Sequence, residues 1–176
     1  NGTNGASNNT IKNCIIIGGR SAVNNTTLTN AITFNHSTSS SNTATAAYAN
    51  NNNVIENNLI QRAYLGINLL GHASHFSLNN IIRKNTIGSS NASLAIGQRG
   101  IKTQNASNVA NPIIIEDNDI SLGDVSISGS GFSSTIAGID LSDGNAGAII
   151  QRNNLHDIYQ PSTSGYGAYG IFISSG

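Results

Sequence analysis

Lys102, Asp140 and Asp143 are the side chains in this sequence best suited to acid–base chemistry or to anion binding. A lysine beside carboxylates can act as a base or hold the carboxylate of an acidic sugar, and the same set also describes a surface ion pair. Asp140 and Asp143 are separated by two residues, and a glycosidase pair must lie about 5–9.5 Å apart across its substrate. His72-x-x-His75 offers two imidazoles with no third ligand beside them, so they read as loop histidines and no metal site is expected. Tyr159, Tyr166 and Tyr169 gather ahead of Phe172. Such aromatics either stack on sugar rings or cap a core under a loop. The lone cysteine, Cys14, excludes an intrachain disulfide framework. N-x-[S/T] matches at Asn1, Asn8, Asn24, Asn35, Asn91 and Asn105 are what an Asn-, Ser- and Thr-rich chain produces by chance.

These residues are positioned by a repeat. Ile82-Arg83-Lys84-Asn85-Thr86-Ile87 recurs as Ile11–Ile16, Ile55–Ile60, Ile115–Ile120 and Ile150–Leu155. The shared form is an apolar residue, two polar positions, Asn (Cys14 once), a variable position and an aliphatic. Successive copies lie 44, 27, 33 and 35 residues apart. A second motif, small-Ile-x-apolar, alternates with the first at Ala31–Phe34, Gly66–Leu69, Gly100–Thr103, Gly138–Leu141 and Gly170–Ile173, apart from Thr103 at the last position. Its spacings are 35, 34, 38 and 32 residues. Recurrence at 20–50 residues marks a repeat architecture. Apolar residues fall at period two within short runs, which is strand spacing and not the 3.6 of a helix.

Composition agrees. The chain has 176 residues, the size of one domain, with eight basic and eight acidic residues. That balance leaves no broad basic surface, so neither nucleic acid nor a membrane patch is an expected partner. No run approaches the ~20 apolar residues of a membrane span. Abundant Ile argues against disorder, while Asn and Gly suit tight corners between strands.

If each unit is one coil of a parallel stack, equivalent residues lie over one another at ~4.8 Å. The inward columns are then Ile11/Ile55/Ile82/Ile115/Ile150, Ile16/Ile60/Ile87/Ile120/Leu155, Ile32/Ile67/Ile101/Ile139/Ile171 and Phe34/Leu69/Thr103/Leu141/Ile173. Outward columns read Lys12, Glu56, Arg83, Glu116, Gln151 and Lys84, Asp117, Arg152, with signs alternating as stacked neighbours require. Cys14, Asn58, Asn85, Asn118 and Asn153 form a structural ladder at a bend, where Asn tolerates the left-handed conformation and bonds from coil to coil. One stripe, Thr10, Val54, Ile81, Ile114 and Ile149, precedes an inward Ile. Either a bend resets the alternation there, or another domain or chain covers it.

With these motifs the chain resembles the right-handed parallel β-helix superfamily of pectate lyases, polygalacturonases and many large surface proteins, over about residues 8–176. The resemblance implies an all-β right-handed parallel β-helix, a solenoid of about five coils with three short strands each. It also implies that the Gly-Ile strands and their loops form a carbohydrate groove. The expected organisation is one β-helix segment, 1–176, with an irregular lead-in at 1–9 and a long polar loop at 35–53, cut from a longer chain.

On the Gly-Ile sheet the outward positions are Thr33, Asn68, Lys102, Asp140 and Phe172. The expected glycan-binding set is therefore Asn68, Lys102, Asp140, Tyr166, Tyr169 and Phe172. The catalytic candidates are Asp140, Asp143 and Lys102, but the galacturonan hydrolases' paired-Asp strand and Gly-His-Gly are missing. Arg99-Gly100-Ile101-Lys102 matches their Arg-Ile-Lys only by accident. The expected function is a structural or adhesive module of a secreted or cell-surface protein. Its partners would be a polysaccharide or cell-surface glycan and neighbouring domains, with no cofactor. The alternative is a polysaccharide lyase, glycoside hydrolase or epimerase working along that sheet. An ice-binding solenoid would need a regular Thr array, and Thr is scattered.

Overall fold

The computed structural model describes residues 5–19, 29–34, 49–122, 135–160 and 167–174. Among the described residues there are fifteen strands and no helix. Each repeat unit contributes three. They are β1 (Thr10–Lys12), β2 (Ile15–Ile17) and β3 (Asn30–Phe34), then β4 (Val54–Glu56), β5 (Leu59–Gln61) and β6 (Leu65–Leu70). The third unit gives β7 (Ile81–Arg83), β8 (Thr86–Gly88) and β9 (Arg99–Gln104). The fourth gives β10 (Ile114–Glu116), β11 (Asp119–Ser121) and β12 (Ile136–Leu141), and the last β13 (Ile149–Gln151), β14 (Asn154–His156) and β15 (Ala168–Ile173). The strands form three parallel sheets, one from the first strand of every unit, one from the second and one from the third. The protein is a parallel β-solenoid.

The four inward columns pair in the expected register, Ile55 on Ile82 on Ile115, Ile60 on Ile87 on Ile120, and Ile67 on Ile101 on Ile139. Thr103 is buried in its column but hydroxyl-bonded to Asn145 Oδ1 at 3.2 Å, which satisfies its polar atom. The enclosed part of the stack is shorter than five coils. Three coils, from β4 to β12, have neighbours on both sides, and the outer two are open ends. Ile171 and Ile173 in β15 are 44% and 70% exposed, whereas Ile101 and Ile139 are sealed.

The corners refine two expectations. The left-handed residue is not the ladder Asn but the one before it, namely Asn13, Asn57, Lys84, Asp117 and Arg152, with φ of 54–58°. That residue turns the chain, and the next carboxamide is thereby aimed along the stack. Asn85 shows the result. Its Oδ1 accepts from Asn58 N and Nδ2 at 3.0 Å, and its Nδ2 donates to Ile55 O at 3.0 Å. A second ladder runs through Asn9, Asn53 and Asn80, where Asn9 N donates to Asn53 Oδ1 and Asn53 N to Asn80 Oδ1, both at 2.9 Å. Asn53, at the end of the expected loop of residues 35–53, bonds into this stacked corner, and residues 35–48 lie outside the described residues.

Nor does a bend reset the Val54/Ile81/Ile114/Ile149 stripe. Ile113 and Ile115 are both sealed inside, so Ile114 between them faces out. Its half-burial comes with stacking on Ile81 and Ile149 in the same outward column.

The charged columns pair as their signs require. Arg83 Nη2 lies 3.1 Å from Glu56 Oε2 and Arg152 Nε 2.7 Å from Asp117 Oδ1. The Arg83 bond holds the Glu56 carboxyl below its ordinary range, and the Arg152 bond does the same for Asp117. For Glu116 the largest lowering comes from Gln151, followed by Arg152.

Candidate functional site on the Gly-Ile sheet

Glycine sets the geometry of this face. A Cβ on Gly100 would lie 2.5 Å from Ile120 Cγ2, so residue 100 points into the core, as sealed Ile101 does. Two successive inward positions shift the strand's alternation. Arg99 and Lys102 therefore emerge together on the outer face.

The outward row is in direct register: Thr33 beside Asn68, Asn68 beside Lys102, Lys102 beside Asp140, and Asp140 beside Phe172. All five expected positions are brought side by side. The row is partly covered. Asn68 is 0% exposed and Asp140 3%, while Thr33 is open to solvent.

The electrostatics differ from the expected Lys102–Asp140 pair. Asp140 Oδ2 receives Arg99 Nε at 2.7 Å, and its Oδ1 receives the Ser142 hydroxyl at 3.3 Å. Arg99 also donates to the carbonyls of Gln98 and Thr135. Among the described residues Lys102 has no ion pair within 4.0 Å. Burial pushes its amine below the usual lysine range, partly offset by the charge of Asp140. Arg99 was missed by sequence reasoning. The only signal was Gly100 itself, whose inward demand implies that residue 99 faces outward.

The two candidate carboxylates have different partners. Asp143 lies in the turn after β12, with Gln104 Nε2 at 3.4 Å from its Oδ2. It lines a crevice of about 400 Å³ at the open end of the stack with Leu141, Asn145, Ala148 and Ile173, and Asp140 is not part of that lining. One carboxylate lies under Arg99 and the other in the crevice.

At the end of the row, Tyr169 and Phe172 rings are 5.0 Å apart and tilted by 42°, with Tyr169 exposed. Tyr159 is exposed and Tyr166 lies outside the described residues. His72 and His75 close a turn on each other through their backbones at 2.9 and 3.1 Å. Among the described residues no three His, Cys, Asp or Glu side chains are grouped to hold a metal. On the second-strand sheet, His156 sits between Asp157 Oδ2 at 2.9 Å and Asp119 Oδ1 at 3.3 Å. Asp119 holds the variable position of the repeat, and His156 and Asp157 lie just beyond its last copy. The Asp157 hydrogen bond raises the His156 pKa, and the charge of Asp119 adds to it.

Comparison with known protein families, curated proteins and solved structures finds no match to this chain.

Proposed function

We propose that this solenoid is a structural or adhesive module of a secreted or cell-surface protein and that it binds carbohydrate on the outer face of the Gly-Ile sheet. The observation that carries this reading is the tilted Tyr169–Phe172 pair, with Tyr169 exposed, at the end of an outward row in which Lys102 stays part-open to solvent. Sugars ask for that combination, since their hydroxyls need directional polar partners and their C–H faces stack on aromatic rings. Likeness of the repeat to the parallel β-helix superfamily of pectate lyases supports a polysaccharide partner.

A glycan array covering neutral and acidic polysaccharides, read with Tyr169→Ala alongside, tests this. Binding that falls at least tenfold in the variant is the expected result. An array with no signal removes the sugar partner. Polysaccharide turnover abolished by Asp140→Asn overturns the module reading in favour of an enzyme.

A further inference from the structure

We infer that Lys102 and Asn68 join in an amide bond between neighbouring coils, a crosslink the protein makes on itself with Asp140 moving the protons. Asn68, Lys102 and Asp140 stand side by side on three adjacent parallel strands. Adjacent strands lie ~4.8 Å apart, a gap that a lysine's four-carbon stem can bridge.

The state of Asn68 is the unusual observation. Its side chain is sealed from solvent, yet neither Oδ1 nor Nδ2 has a hydrogen-bond partner among the described residues. Asn30 Oδ1 and Arg83 Nε also lack a partner, but at Asn68 both carboxamide atoms do, whereas both atoms of the Asn85 and Asn118 carboxamides are bonded. An orphaned carboxamide next to an amine without an ion pair is an electrophile facing a nucleophile. Burial favours the neutral, reactive form of that amine. On the far side, Asp140 is a buried carboxylate flanked by Phe172, with Arg99 on its Oδ2 and the Ser142 hydroxyl on its Oδ1.

The step balances without any other reactant. The Asp140 carboxylate takes a proton from the Lys102 ammonium, and the freed Nζ attacks Asn68 Cγ, pushing the carbonyl electron pair onto Oδ1. Nζ then passes its second proton to Nδ2. As the carbonyl re-forms, the Cγ–Nδ2 bond breaks. Ammonia departs, taking the proton left on Asp140 and leaving as ammonium. The product is a secondary amide, and its N–H and C=O remain on the outer face. The inference does not depend on sugar binding.

Mass spectrometry of the purified chain decides it. The expected mass is about 17 Da below that of the sequence, one ammonia lost. Trypsin is expected to leave Lys102 uncut, so that peptide 63–83 stays joined to peptide 100–152. Lys102→Arg and Asn68→Ala, each checked for folding by circular dichroism, are expected to show the full mass of their own sequences. Full mass in the unaltered protein, with cleavage after Lys102, overturns the inference. A ~17 Da loss that persists in Lys102→Arg overturns it as well, since it marks cyclisation of an asparagine onto its own backbone. Either result leaves the glycan array free to stand or fall separately.

Discussion

Arg99 and Asp140 form a buried ion pair across two coils, with Nε 2.7 Å from Oδ2 and both side chains largely withdrawn from water. Taking one partner away from such a pair strands the other charge in a poorly solvated place. Asp140→Ala is therefore expected to destabilise the protein by about 3 kcal/mol, towards the low end because Arg99 keeps its bonds to the carbonyls of Gln98 and Thr135. Arg99→Met combined with Asp140→Leu is expected to recover most of that loss. Urea unfolding of the two variants measures it. A double variant no more stable than the single one would show that the pair itself was not the source.

Glycine substitutions should separate the enclosed coils from the open end. An added methyl at Gly100 would meet Ile120 Cγ2 at 2.5 Å and the Gly138 carbonyl at 2.6 Å, and the carbonyl cannot swing away as a side-chain tip can. Gly100→Ala is expected to cost about 1–3 kcal/mol through overpacking. At Gly170, the equivalent position in the last coil, the nearest atom is Leu155 Cδ1 at an ordinary 3.7 Å. Gly170→Ala is expected to change the melting temperature little. Equal losses at the two positions would contradict the close approach between the sheets.

Stability should depend on pH with different residues acting on each side. His156 has a raised pKa, so its contribution is full below its ordinary 6.5 and is lost as pH rises through the higher folded value. Glu56, Glu116 and Asp117 have lowered pKa values, so theirs is full above the ordinary 4.5 and 3.8 and is lost as pH falls through the lower folded values. Thermal melts across pH are expected to be highest between about 4.5 and 6.5. His156→Gln should flatten only the alkaline side and Glu116→Gln only the acid side. All four groups lie on the outer face beside solvent-exposed partners, so the changes should be small and should shrink in salt.

Much of this fold was legible because a parallel stack repeats one environment at each level. The pairing of Ile55 with Ile82 and of Glu56 with Arg83 follows from aligning the repeats, with no long-range knowledge needed. The outward row from Thr33 to Phe172 was legible for the same reason. What escaped depends on departures from strict alternation. Arg99 reaches Asp140 only because Gly100 and Ile101 both face inward, and period two assigns Arg99 to the core. The left-handed corner at Lys84 or Arg152 was hidden too, since neither residue type announces that conformation. His156 meets Asp119 on the neighbouring strand of its sheet and Asp157 at the next corner, positions where the repeats share no residue type.

The asparagine ladder has a direction. Asn58 N donates to a carboxamide that lies later in the chain, Asn85, while Asn85 Nδ2 reaches back to the earlier Ile55 carbonyl. On a ribosome the earlier rung therefore emerges with its amide unanswered, and the rung that follows brings both the missing acceptor and a donor for what is already in place. Docking is vectorial, each newly made turn completing its predecessor while presenting an unmet demand of its own. At Cys14 the backbone amide donates to Asn58 Oδ1 at 3.0 Å, but the side chain has no carboxamide to offer in return. The zipper is thus read in the order of synthesis.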